Sequence, residues 1–246
     1  MSHYIDTLPN PQGMAAMMQE GIQAERKERR LRTCIKVLDE FIGGFPSSQV
    51  TLIDSTERLV LDMVQLLCLD QVMSEGREVV WVDGGNSVNP YALTSLCKRF
   101  RGRTEEVLES VNVSRAFTAY QLVTLIEDMM EAEIVRTNAG LLVVSSFPDL
   151  FQDRDVHWSE SLQLMRRCIS SIRDITRRHA TVSVVTNLGP SRTMCKKSLR
   201  SLMYSSADRV LRIEPHRSAL KISLVKEGQS TLYHPVPYYQ RTLDEF

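Results

Sequence analysis

The chain is 246 residues long, with 43% apolar and 24% charged residues, which suits one large α/β domain, or one with a short extension, and excludes wholesale disorder. Lys+Arg and Asp+Glu balance at 30 each, so no global field favours nucleic acid or an anionic membrane, and any such binding must come from a local patch. The five scattered cysteines, Cys34, Cys68, Cys97, Cys168 and Cys195, include no C-x-x-C pair, which indicates neither a disulfide framework nor a zinc site and fits a reducing cytoplasm.

The N-terminus "MSHYIDTLPNPQG" lacks a basic-then-apolar signal pattern, and no apolar run approaches the roughly 20 residues of a membrane span. A soluble intracellular protein without membrane contact is expected. Residues 1–13, with Pro9 and Pro11, read as a tail, followed by a helix through "MAAMMQEGIQAERKERRLR" whose second half is polar all round. "ERKERR" reads as a solvated helix face or as a basic arm for a partner. Residues 1–36 are taken as tail and charged helix, and 37–246 as the core domain.

From Val50 onward β-branched runs alternate with helix-period segments, as in βαβ units around a mainly parallel sheet. Strands are expected at 49–54, 78–83, 111–117, 140–146 and 181–187, and helices near 57–74, 88–100, 119–137 and 158–179. In the last helix Leu162, Met165, Ile169, Ile172 and Thr176 form an apolar stripe, with Arg166, Arg173 and Arg177 off it. Beyond it "DRVLRIEP", "ALKISLVKEG" and "STLYHPVP" alternate at period two, as antiparallel hairpin strands do.

The strand–turn–helix outline of "VTLIDSTERLVLDMVQLL" is where many nucleotide-binding proteins hold a phosphate. A phosphate loop, G-x-x-x-x-G-K-[ST], needs glycines for its backbone N–H cradle, a lysine for charge and a hydroxyl for Mg²⁺. No glycine lies between Gly44 and Gly76, and no lysine between Lys36 and Lys98. Arg58 offers a positive charge and Ser55 or Thr56 a hydroxyl, but Asp54 and Glu57 oppose a triphosphate. A strand-to-helix turn with Ser55 or Thr56 as N-cap accounts better for these residues. The apolar strand "GLLVVSS" ends in Ser145 and Ser146 where an aspartate would hold a metal. "VVWVDGGN" offers Asp83 with no nearby glutamate to orient water, and "TVSVVTNLG" ends in Thr186, Asn187 and Leu188.

Taken in order, "LDEFIGGFPSSQVTLIDS", "GREVVWVDGG", "VNVSRAFTAYQLVTLI", "AGLLVVSSFPDLF" and "VSVVTNLG" resemble the ATPase core of the RecA/RadA/Rad51 recombinase family over roughly residues 38–236. The resemblance implies a RecA-like three-layer α/β fold with antiparallel strands at its C-terminal end, and involvement in homologous recombination or repair. It maps the Walker A loop onto Asp54 through Leu61 without its Gly, Lys or Thr, and the Walker B aspartate onto Ser145. The water-activating glutamate falls at Gly85 and the sensor glutamine at Leu188, while Asp83 and Asn187 match. It thus implies a degenerate, RadA-like paralog, a pseudo-ATPase with no cofactor, no metal and no catalytic residue. The family's Phe-x-x-Ala assembly segment has no counterpart before Phe41.

The family's two DNA loops correspond to "FPDLFQDRDVHWSE", which is acidic with Arg154 as its one cation, and to "LGPSRTMCKKSLRSLMYSS", which carries Arg192, Lys196, Lys197 and Arg200 and no acidic residue. These four cations are the candidate contacts for single-stranded DNA; a solvated basic loop before a helix reads the same residues without a ligand. Tyr204 could stack on a base or simply pack. His157 and Trp158 fit no catalytic pattern. Asp153, Asp155 and Glu160 match no ligand loop and read as caps of the next helix, and Ser145 and Ser146 lack a His/Asp pair to activate them. The expected function is a non-catalytic paralog that binds a recombinase or sister paralog, with single-stranded DNA as a further ligand, in the cytoplasm or nucleoid, or in the nucleus of a eukaryote. The alternatives are a DNA-dependent ATPase with an atypical phosphate site and a KaiC-like regulatory protein.

Overall fold

The structure is a computed structural model that describes residues 29–153, 156–188 and 197–235. The chain opens with a two-residue strand, β1 (Arg30–Leu31), which pairs antiparallel with β2 (Phe45–Pro46) across helix α1 (Lys36–Ile42). The helix expected to run through Arg32 therefore does not reach that far. Leu31 and Thr33 are fully buried, and the Thr33 N–H and hydroxyl both donate to Asp39. The packed body thus includes residues before the boundary drawn at 37. Residues 1–28 lie outside the described residues.

The main layer is an eight-stranded sheet: β3 (Val50–Ser55), β4 (Val79–Asp83), β5 (Val111–Arg115), β6 (Leu141–Ser145), β7 (Val182–Leu188), β8 (Arg209–His216), β9 (Ala219–Leu224) and β10 (Gln229–Tyr233). Its order is β10-β9-β8-β3-β7-β6-β4-β5. The six strands from β8 to β5 are parallel, and β9 and β10 are added antiparallel. This is the expected mostly parallel sheet with an antiparallel C-terminal end. All five residues of β4 and of β6 are buried, because helices cover both faces, and such strands read as continuous apolar runs.

Side-chain alternation sorts the core into two layers. Leu52, Val80, Val82, Leu142, Val144 and Val185 face one side. There they meet helices α5 (Ala119–Thr124) and α6 (Met130–Thr137), which a π turn over Leu125–Met129 joins into one rod, together with α7 (Trp158–His179) and α8 (Lys197–Ser206). Ile53, Trp81, Val143 and Val184 face the other side, covered by α2 (Leu59–Glu75), α3 (Pro90–Arg99) and α4 (Thr104–Glu109). The buried side of α7 is broader than the expected stripe: Ser161, Leu164, Cys168 and Ile175 join Met165, Ile172 and Thr176, while Leu162 and Ile169 are half-buried. Helix α4 was not foreseen, since six residues are too few to show a period. Among the described residues no helix is long and apolar enough to cross a membrane.

Candidate functional site

Parallel strands place all their carboxyl ends along one edge of the sheet, where open α/β folds put their chemistry. Here that edge carries Asp54, Asn187, Ser145, Asp83 and Arg115, with Asp54 in register with Asn187, and Asp83 with both Ser145 and Arg115. By alternation Asp54 and Asn187 share the face of Leu52 and Val185, whereas Asp83 and Ser145 share the face of Trp81 and Val143. Two polar clusters result, on opposite faces.

In the first, the buried Asp54 carboxylate accepts from Asn187 Nδ2 at 2.7 Å, from the Tyr204 hydroxyl at 2.5 Å and from Arg200 Nη2. The Asp54 side chain is 6% exposed and that of Arg200 25%. The Arg200 guanidinium lies 5.4 Å from the centre of the Tyr204 ring. Burial, reinforced by Asp54, pushes the Tyr204 phenol up to about 12, so it remains a donor at neutral pH. Of the expected DNA contacts, Arg200 is thus turned inward onto Asp54, and the hydroxyl of the half-buried Tyr204 is bound to the same carboxylate. Lys197 is exposed at the start of α8. Arg192 and Lys196 lie outside the described residues, as do Arg154 and Asp155.

The second cluster surrounds Asp83, whose side chain is fully buried. It accepts the backbone N–H groups of Gly85, Ser87 and Val88 at 2.9–3.2 Å and the Ser145 hydroxyl at 2.9 Å. The Arg115 Nε is 3.5 Å away. Burial alone would raise its pKa, but the N–H groups of Ser87 and Val88 and the Ser87 hydroxyl outweigh it and hold the carboxyl below its ordinary value. Ser145 Oγ also accepts from Trp81 Nε1 at 2.8 Å and sits 2.7 Å from Ser87 Oγ. The oxygen where a metal ligand was sought is therefore engaged on every side. Position 85 is closed as well, because a Cβ there would fall 2.2 Å from Ser146 Oγ and 2.4 Å from Ser146 Cβ. Ser146 itself has φ +52°.

At the expected phosphate loop, Ser55 Oγ donates to Ile213 O at 3.0 Å and accepts the Glu57 N–H at 2.9 Å, while Thr56 bonds Glu57. Ser55 thus closes the turn but does not cap the helix. Arg58 holds the N-cap position of α2, with no side-chain cap bond. The backbone N–H groups of Val60, Leu61 and Asp62 are taken by the carbonyls of Glu57 and Arg58, which leaves fewer donors for a phosphate cradle. His157, not an acidic residue, stands at the N-cap position of α7, again without a side-chain cap. Glu160 accepts from the Tyr120 hydroxyl. Among the described residues no group of three or more His, Cys, Asp or Glu could hold a metal ion.

Sequence reasoning found both acids but missed Arg200 and Tyr204 as partners of Asp54, and Ser87 and Trp81 as partners of Ser145. The run "DGGNS" was a usable signal, since an aspartate followed by turn residues accepts the N–H groups ahead of it. No curated protein matches the sequence at a significant level. The Rad51 family model matches residues 30–223, most of the chain and all of the sheet except β10 and the last residue of β9, Leu224. That match covers well over half of the sequence, so the chain belongs to the Rad51 family, a relation consistent with a role in recombination or repair.

Proposed function

We propose that this chain is a non-catalytic, RadA-like paralog that assists homologous recombination or repair by docking on a recombinase or a sister paralog. The observation that carries the reading is the closed network at Asp83 and Ser145: the hydroxyl at the Walker B position is spent on Asp83 and Trp81, and Ser146 fills the space a side chain at 85 would need. A metal held by that hydroxyl would have to displace Asp83 or Trp81, and no room is left for a water-orienting side chain at 85. The docking surface is the open edge of the sheet at β5. Val113 is 43% exposed there, and Phe117 and Tyr120 beside it are 70% and 51% exposed. Among the described residues no further strand pairs with β5, and a strand edge next to apolar side chains accepts an added strand from a partner. Single-stranded DNA belongs to this reading as a further ligand near Lys197, with Arg200 withheld by Asp54.

The purified protein is expected to show no ATP turnover, alone or with a recombinase. It is expected to retain a RecA-family protein from native lysate, and Phe117→Glu is expected to abolish that retention. Micromolar nucleotide affinity abolished by Arg58→Ala would overturn the reading in favour of an atypical phosphate site, for which the uncapped N-terminus of α2 beside Arg58 is the one favourable feature.

A further inference from the structure

Helices α7 and α8 connect β6 to β7 and β7 to β8. Both therefore run back from the carboxyl edge of the sheet and lie side by side upon it. The groove between them opens into a cavity of about 20 Å³ walled by Val50, Leu52, Ile169, Ile172, Met203 and Ala207. Its polar lining consists of Arg173 and Ser206. Arg173 Nε is buried without an acceptor, and among the described residues neither its guanidinium nor the Ser206 hydroxyl is engaged by another side chain. The other arginines of α7 divide sharply. Arg167 pairs with Glu127, Arg178 with Glu131 and Arg177 with Asp208, whereas Arg166, exposed on the same face as Arg173, has no such partner among the described residues. A half-buried guanidinium with no counter-charge is a cost that a bound anion removes.

The geometry points to the α7–α8 groove as the docking site of an acidic peptide segment of a protein partner, with an aliphatic side chain in the cavity and carboxylates on Arg173 and Arg166. The two arginines are two helical turns apart on one face, about 10 Å, a span that three residues of extended peptide cover. Room for about one water-sized group admits the tip of an aliphatic side chain and not a nucleobase. Single-stranded nucleic acid is the weaker candidate because it needs exposed rings to stack on. Phe147, on the cavity wall, is 1% exposed, and the Tyr204 hydroxyl is tied to Asp54. This groove lies on a helical face, away from the β5 edge, so its test stands or falls independently of the docking reading above.

The test is fluorescence anisotropy with the intact protein at low salt. The probe is a labelled extended peptide of one leucine flanked on each side by two glutamates, compared with its serine-for-leucine and lysine-for-glutamate counterparts and with an oligothymidylate. The expected result is saturable binding of the acidic leucine peptide, at least fivefold weaker with serine and absent with lysine. Arg173→Gln and Arg166→Glu should each weaken it at least fivefold, and Arg101→Glu, on another part of the surface, should leave it unchanged. Arg166 is exposed, so its variant keeps the test decisive if Arg173→Gln fails to fold. Absence of peptide binding, equal weakening by Arg101→Glu, or tighter and competing binding of the oligothymidylate through the same two arginines would each overturn the proposal.

Discussion

Placing an aspartate at the end of β6 by Ser145→Asp tests how closed the Asp83 cluster is. Ser145 Oγ lies 2.9 Å from Asp83 Oδ1, and Asp83 is buried and held ionised by its N–H donors. A second carboxylate would sit about 3 Å away, where two unit charges repel by about 5 kcal/mol at an effective dielectric constant near 20. The new group escapes by staying protonated. At pH 7.5, against an unfolded value near 3.9, that costs about 1.4 kcal/mol for each of roughly 3.6 units, again about 5 kcal/mol. Partial compensation by Arg115 brings the expected loss to about 3–5 kcal/mol, or a fall in Tm on the order of 10 °C. The sign with pH follows. A carboxyl whose folded pKa is raised costs stability as pH rises from its unfolded value through its folded one, so the deficit should shrink by about 1.5–3.5 kcal/mol, to about 1.5 kcal/mol, between pH 7.5 and pH 5. Thermal unfolding of the variant and of Ser145→Asn, each against wild type at both pH values, reads this out; the amide variant should show no such pH dependence. A deficit below about 1 kcal/mol at pH 7.5, an equal deficit at pH 5, or recovery on adding Mg²⁺ with ATP would refute a closed, metal-free cluster.

Arg200→Ala should strand the Asp54 charge with Asn187 and Tyr204 alone. The expected cost is about 2–4 kcal/mol in urea unfolding, part of which a second change, Asp54→Asn, should restore; strict additivity of the two would mean they do not interact. Burial pushes the Asp149 carboxyl up to about 6, so its burden on stability is absent below its unfolded value and grows as pH rises toward 6. Asp149→Asn should therefore stabilise the protein at pH 8 and leave it unchanged near pH 4, as followed by thermal melts, and a gain confined to acid would reverse the assignment.

The legible parts of the fold were those whose signal is local. Strands β4 and β6 appear as unbroken apolar runs because helices cover both their faces, and α7 spans the expected residues because its 22 positions repeat the helical period many times. Strand β1 was misread because "ERKERRLR" has helical propensity, while its extended form is set by pairing with Phe45 and Pro46, a distant partner that overrides propensity. The same limit governed the site. The acids at 54 and 83 could be read as strand ends, but Arg200 is 146 positions from Asp54 and Ser145 is 64 from Trp81, and no pattern in one sequence ties such pairs together. Arg200 looked like part of a basic loop because its nearest cations in sequence are Lys196 and Lys197, whereas its partner in space is a carboxylate.

The contact between Gly85 and Ser146 also fixes an order of events. With Ser146 in place, any side chain introduced at 85 meets it far inside van der Waals contact, so even alanine there is obstructed. Removing the Ser146 side chain is easy by comparison, since a glycine tolerates the left-handed backbone already present at φ +52°. Of the two single-step routes to a chain bearing a side chain at 85, the one through glycine at 146 is passable and the other is blocked. The pair behaves as a one-way gate in sequence space, and a library randomised at 85 alone should return glycine.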